Sequence, residues 1–184
     1  MLNLNRVPHG RRALDPVPEI RGFDALTGLA GRTLFMQRAE RQWEWSQDQQ
    51  QPMTMLLVNL DGFGRDEPRT AGIRIDQAMV AVAGIIADAC RRRSDFAGRV
   101  RDNEFAVLLA DVDADGAEQI AEEIRASVRA QPTRQLQGDI TVSIAGSVGV
   151  PSANRFARSM TVEADELLRK IKVKGGDAVR LVQH

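Results

Sequence analysis

One cysteine, Cys90, is all that the 184-residue chain contains, so no intramolecular disulfide can form. That scarcity points to a reducing compartment rather than a disulfide-stapled secreted scaffold. Net charge is also lacking, because 25 basic residues offset 25 acidic ones. A neutral balance excludes wholesale binding to nucleic acid or to an anionic membrane surface. No apolar run is long enough to span a bilayer. The opening segment MLNLNRVPHGRR has no apolar core of the kind that marks a signal peptide. Together these absences predict a cytoplasmic protein.

What remains is a globular composition, 43% hydrophobic and 27% charged, in a chain long enough for one domain with a buried core. Residues 1–21 carry Pro8, Pro16 and Pro18 among charged residues and show no period, which predicts an extended tail or linker ahead of a domain at 22–184. Phe35, Ala39 and Trp43 recur at every fourth position, predicting a helix over 34–45 that ends at the polar run SQDQQQP. MTMLLVNL, 53–60, reads as a buried strand. Ile75, Met79, Val82, Ile86 and Ala89 predict a long helix over about 71–92, with Cys90 as a small apolar filler.

Two strands follow at about 97–101 and 104–110, joined by a tight turn. Ala117, Ile120, Ala121, Ile124 and Val128 mark another helix. DITVSIAGSVGVP reads as a strand, a last helix carries Ala164, Leu167, Leu168 and Ile171, and AVRLV is a plausible edge strand. There is no internal repeat. The central order is β-α-β-β-α-β, which predicts an α/β (α+β) domain with a ferredoxin-like core: a mostly antiparallel sheet flanked by helices.

Four segments at consistent spacing resemble the GGDEF family of diguanylate cyclases. Asp24-Ala25-Leu26-Thr27-Gly28-Leu29-Ala30-Gly31-Arg32 is close to the family opening DxLTGLxNR. Leu56 to Phe63 stands where the family has a strand ending in DxDxFK. Arg99-Val100-Arg101-Asp102-Asn103-Glu104-Phe105 stands at the signature RYGGDEF. Ala164-Asp165-Glu166-Leu167-Leu168, followed by Lys172 and Gly175, is similar to ADxALYxAKxxG. The resemblance implies a nucleotidyl-cyclase-like fold in which two subunits face each other. The 3′-hydroxyl of one GTP attacks the α-phosphate of the other, with Mg2+ to screen the charge.

The resemblance also shows what is missing. The family takes its metal carboxylates from positions that here hold Asn59 and Asn103, neutral amides of similar shape. Arg101-Asp102 replaces the glycine pair, so RDNEF, through Glu104, stands for GGDEF. Asp102 and Asn103 are expected to supply the turn, since short polar residues tolerate positive φ. Asp61, Asp76 and Lys172 match acids and a lysine of the family's GTP site and are vestigial candidates. For Lys172 a place in the last turn of a helix is an equally good reason, and purely structural roles are open for all three. Glu67, Ala71 and Gly64 depart from the family pattern at the guanine and phosphate positions.

Upstream, Arg92-Arg93-Ser94-Asp95 falls at the family spacing of the RxxD motif that binds the product at an inhibitory site. A guanidinium fork suits phosphate and guanine, and a carboxylate suits the guanine donor edge. An arginine run complementing a helix C-terminus accounts for the same residues without a ligand. The expectation is thus a catalytically inactive domain with no metal. It would act as a receptor for cyclic di-GMP or as an interaction module, with a signalling partner protein and a homodimer as implied associations. A residual cyclase and a docking domain that binds no nucleotide are the alternatives.

Overall fold

The computed structural model describes residues 22–62, 72–131, 140–152 and 157–184. The expected tail at 1–21, and Gly64, Glu67 and Ala71, lie outside the described residues. The elements are β1 (Ala30–Gly31), α1 (Arg32–Gln49), β2 (Met53–Leu60), α2 (Gly72–Ala89), β3 (Phe96–Arg101) and β4 (Glu104–Ala110). They continue with α3 (Ala114–Arg129), β5 (Val142–Gly149), α4 (Ala157–Val173) and β6 (Val179–Gln183).

The six strands form one sheet in the order β1-β3-β4-β2-β5-β6. β2 lies antiparallel to both β4 and β5, and β3 antiparallel to β4; only the outer pairs β1–β3 and β5–β6 are parallel. The predicted split core and the AVRLV edge strand are therefore present. A central strand covered on both faces is mostly apolar, which is why six of the eight β2 residues are hydrophobic, the exceptions being Thr54, whose hydroxyl donates to the Val112 carbonyl, and Asn59. Leu56, Val58 and Leu60 face the layer of α2 and α3. Met53, Met55 and Leu57 face the layer of α1 and α4.

Three boundaries differ from the sequence reading. α1 does not stop at the polar run but continues to Gln49, with Ser46 fully buried and bonded by the Gln42 carboxamide at 3.1 Å. Gln50 ends it in the left-handed region, φ 52°, two residues before Pro52. α2 ends at Ala89 rather than Arg92, because the Asp95 carboxylate takes the Arg92 N–H at 2.9 Å and turns the chain out. β1 has only two residues, too few to show any period. It is held by the loop before it, where Asp24 accepts from the Thr27 N–H and hydroxyl at 2.9 and 2.7 Å.

Cys90 packs half-buried against the α2–α3 core, and burial pushes its thiol up to about 12, so it stays a protonated filler. No described helix is long and apolar enough to cross a membrane.

Candidate functional site

The β3–β4 hairpin carries the residues RDNEF at one end of the sheet. Arg101 pairs with Glu104 in register, but Arg99 pairs with Phe105, so Val100 is an extra residue on β3. A bulge of this kind sharpens the local twist. Asp102 and Asn103 do make the turn, yet neither has a positive φ, contrary to the expectation from their side chains. The bulge supplies the closure that glycines would otherwise permit. Arg99 braces the turn from behind, donating to the Asp102 carbonyl at 2.6 Å and to the Asp24 carboxylate at 3.3 Å. Burial pulls the Asp24 pKa up, but the Thr27 donors and Arg99 outweigh it and hold the group below its ordinary value.

Asn59 and Glu104 are opposed in the β2–β4 register and point to the α1–α4 layer. Glu104 is 2% exposed, and its two oxygens are taken from different sides. Asn59 Nδ2 donates to Oε2 at 3.3 Å, and Arg101 Nη1 donates to Oε1 at 2.7 Å. The same Arg101 nitrogen reaches Asp165 on α4, also at 2.7 Å. Burial raises the Glu104 pKa, and Arg101 and Asn59 only partly reverse that rise. Asn103 points away from this group: its carbonyl accepts from Leu60 N–H at 3.0 Å, and its amide meets the Leu60 carbonyl at 3.5 Å. Arg101, Glu104 and Asp165 lie on the floor of an open cleft of about 870 Å³ between α1 and α4.

Asp61 and Lys172 are brought together, not toward a ligand but toward each other, at 2.5 Å. Asp61 also accepts from the Thr141 and Ser143 hydroxyls at 2.9 and 2.7 Å and from the Asp177 N–H at 3.0 Å. Burial raises its pKa, but Lys172, Ser143 and the Asp177 amide prevail and hold it below the usual carboxylate value. Asp177 in turn binds Arg125 and Arg129 of α3 at 2.8 and 2.6 Å. This knot ties β2, β5, α3 and α4; the motif marked Asp61 and Lys172 but not their pairing, nor Thr141, Ser143, Asp177 and the two arginines. Asp76 is set apart, exposed on α2.

Arg92 and Asp95 lie at the opposite end of β3 from the hairpin. Asp95 faces inward: Oδ2 caps the Arg92 N–H, and Oδ1 is buried with no partner among the described residues. Arg92 Nη1 donates to the Asp111 carbonyl at 2.9 Å and more weakly to the Ala110 carbonyl at 3.4 Å. Its Nε and Nη2 have no partner among the described residues, and Arg92 lines a pocket of about 560 Å³. Trp45 on α1 and Gln51 after it line the same pocket, and the sequence reading assigned neither a role. The neighbouring Arg91 is paired with Glu123 on α3 at 3.1 Å.

The model of the family "Diguanylate cyclase, GGDEF domain" matches residues 22–178. Diguanylate cyclase A of Treponema denticola is 31% identical over 139 residues, covering 74% of this chain and 37% of that protein. YhcK of Bacillus subtilis is 29% identical over 161 residues, covering 85% of this chain and 44% of that protein. The chain thus spans less than half the length of these relatives. The GGDEF domain of DgcB from Caulobacter crescentus, solved in complex with c-di-GMP, superposes with a TM-score of 0.78 at 25% identity, covering 90% of this chain and 98% of that one. With the opening loop, the hairpin and the closing helix all in the family's order on the family's fold, the chain belongs to the GGDEF domain family of diguanylate cyclases.

Proposed function

We propose that this domain is a catalytically silent GGDEF domain that serves as a cyclic di-GMP receptor, with Arg92 as its anion-binding residue and a separate protein as its output. The reading rests on a contrast between the two ends of β3. At the hairpin end the buried carboxylate of Glu104 is already neutralised by Arg101. At the other end Arg92, with two guanidinium nitrogens unpaired among the described residues, lines a pocket.

Magnesium takes near-octahedral oxygen ligands, usually including one or two carboxylates. Here Glu104 spends its oxygens on Arg101 and Asn59, while the Asn103 amide turns to the backbone. A fixed guanidinium 2.7 Å from Glu104 also repels a second cation. This donor set does not fit the metal, and no metal-dependent step is assigned to it. Lys172 is spent on Asp61, so the vestigial phosphate contact is engaged as well.

For the receptor site, Nε and Nη2 of Arg92 form the planar fork that pairs with a phosphodiester. Asp95 holds the turn that presents Arg92. Calorimetric titration with cyclic di-GMP should give saturable binding, lost in Arg92→Ala by about tenfold or more. Absence of heat with wild-type protein at high micromolar ligand rejects the receptor in favour of a docking domain. Chromatography of GTP incubated with protein and Mg2+ or Mn2+ should show no product above a protein-free control. Product there rejects the silent reading.

A further inference from the structure

Tryptophan rarely leaves half its surface in water without a reason, because its large apolar ring gains so much from burial. Trp43 and Trp45 lie two positions apart on α1, about 200° around the helix axis. Trp43 is on the buried face at 6% exposure, and Trp45 is on the opposite side at 48%. Trp45 has no ring or cation partner among the described residues. It lines the pocket that Arg92 also lines.

Gln51 also lines the pocket, but its unpartnered Oε1 is buried and so is not offered to a ligand there. Pocket, aromatic face and cationic fork together match one kind of ligand. A purine would stack on the indole while its phosphate would meet Arg92. Trp45 is the one aromatic among the lining residues described.

We infer that Trp45 is the stacking platform for a purine of the ligand at this nucleotide site. This rests on the receptor reading above and deepens it. It makes the purine, not only the phosphate, a determinant of binding, and it assigns that contact to a residue outside the RxxD motif.

The test is titration of the full chain with cyclic di-GMP, followed by calorimetry and by tryptophan fluorescence corrected for ligand absorbance. Wild-type emission should be quenched, and Trp45→Phe should lose most of the quenching, because the Trp43 that remains is buried away from the pocket. Trp45→Phe should keep affinity within about threefold, while Trp45→Ala should weaken it about tenfold, about 1.4 kcal/mol. Undiminished affinity in Trp45→Ala together with unchanged quenching in Trp45→Phe overturns the assignment while leaving Arg92 as the receptor residue. No binding by wild-type protein overturns both readings. Trp45 is half exposed, so an altered thermal midpoint is not expected to confuse the comparison, and the quenching in Trp45→Phe decides alone should Trp45→Ala fold poorly.

Discussion

Arg101 and Glu104 are joined by a 2.7 Å ion pair across the mouth of the β3–β4 hairpin, one partner half exposed and the other nearly sealed. The guanidinium therefore serves as the counter-ion of a carboxylate that would otherwise be buried among apolar neighbours. Removing it should be costly in a pH-dependent way. Arg101→Ala should destabilise the fold by about 1–3 kcal/mol near neutral pH, less than for a fully buried pair because the side chain of Arg101 is 47% exposed. Glu104 has a raised folded pKa, so the folded state gains protons more readily than the unfolded one, and stability attributable to it falls as pH rises. The deficit of Arg101→Ala should accordingly shrink as pH falls from neutrality and Glu104 takes up its proton. Denaturant melts at neutral and at acid pH check this, and a deficit that grows on acidification contradicts it.

Asp61 should behave in the opposite sense. Its folded pKa is lowered, so its contribution is present above the unfolded value and is lost as pH falls through the folded one. Asp61→Ala should cost about 3 kcal/mol or more, since it strands Lys172, two hydroxyls and the Asp177 amide at once. Gly176→Ala should reproduce part of this loss, by about 1–3 kcal/mol. Its φ is +78°, and the added Cβ would come within 2.8 Å of the Asp61 carboxylate. Chemical denaturation of both variants, with the wild-type profile flattening below about pH 4 in Asp61→Asn, is the measurement.

The contrast between these two carboxylates explains what the sequence could and could not disclose. β2 was readable in full, because a strand covered on both faces is mostly apolar and only Thr54 and Asn59 interrupt it. Trp43 was placed in the core by its spacing from Phe35 and Ala39, whereas the end of α1 was not, since glutamines continue a helix as readily as they end one. The contact of Arg101 with Asp165 joins residues 64 positions apart, and that of Asp61 with Asp177 joins residues 116 apart. No periodicity encodes such pairs. The motif positions marked which residues depart from the family, but only the packing shows that Arg101 and Lys172 are engaged by acids of this chain.

Restoring the two missing carboxylates should not restore the cyclase. Asn59→Asp would place a second acid beside Glu104 and draw Arg101 in more tightly, and Asn103→Asp faces the Leu60 carbonyl rather than Glu104. The double variant should give no cyclic di-GMP by chromatography, whereas adding Arg101→Gly removes the built-in cation and should permit Mn2+ binding detectable by calorimetry. Activity in the double variant alone would show that Arg101 is displaced readily by metal.

Asp95 can be tested for the role its geometry assigns. Its Oδ2 accepts the Arg92 N–H at 2.9 Å, and the Asp95 N–H returns to the Arg92 carbonyl at 3.1 Å, so the two residues close one turn. A carboxamide oxygen can accept the same bond, while a methyl cannot. Asp95→Asn should therefore bind cyclic di-GMP within about threefold of wild type, and Asp95→Ala should lose about tenfold by releasing the turn that aims Arg92. If the carboxylate instead met the guanine donors directly, Asp95→Asn would fail as badly as Asp95→Ala, because its amide group would face donors with a donor. Added salt separates the two cases further. Loss through the turn should leave the salt dependence of the remaining binding unchanged, since Arg92 still carries the charge that pairs with phosphate.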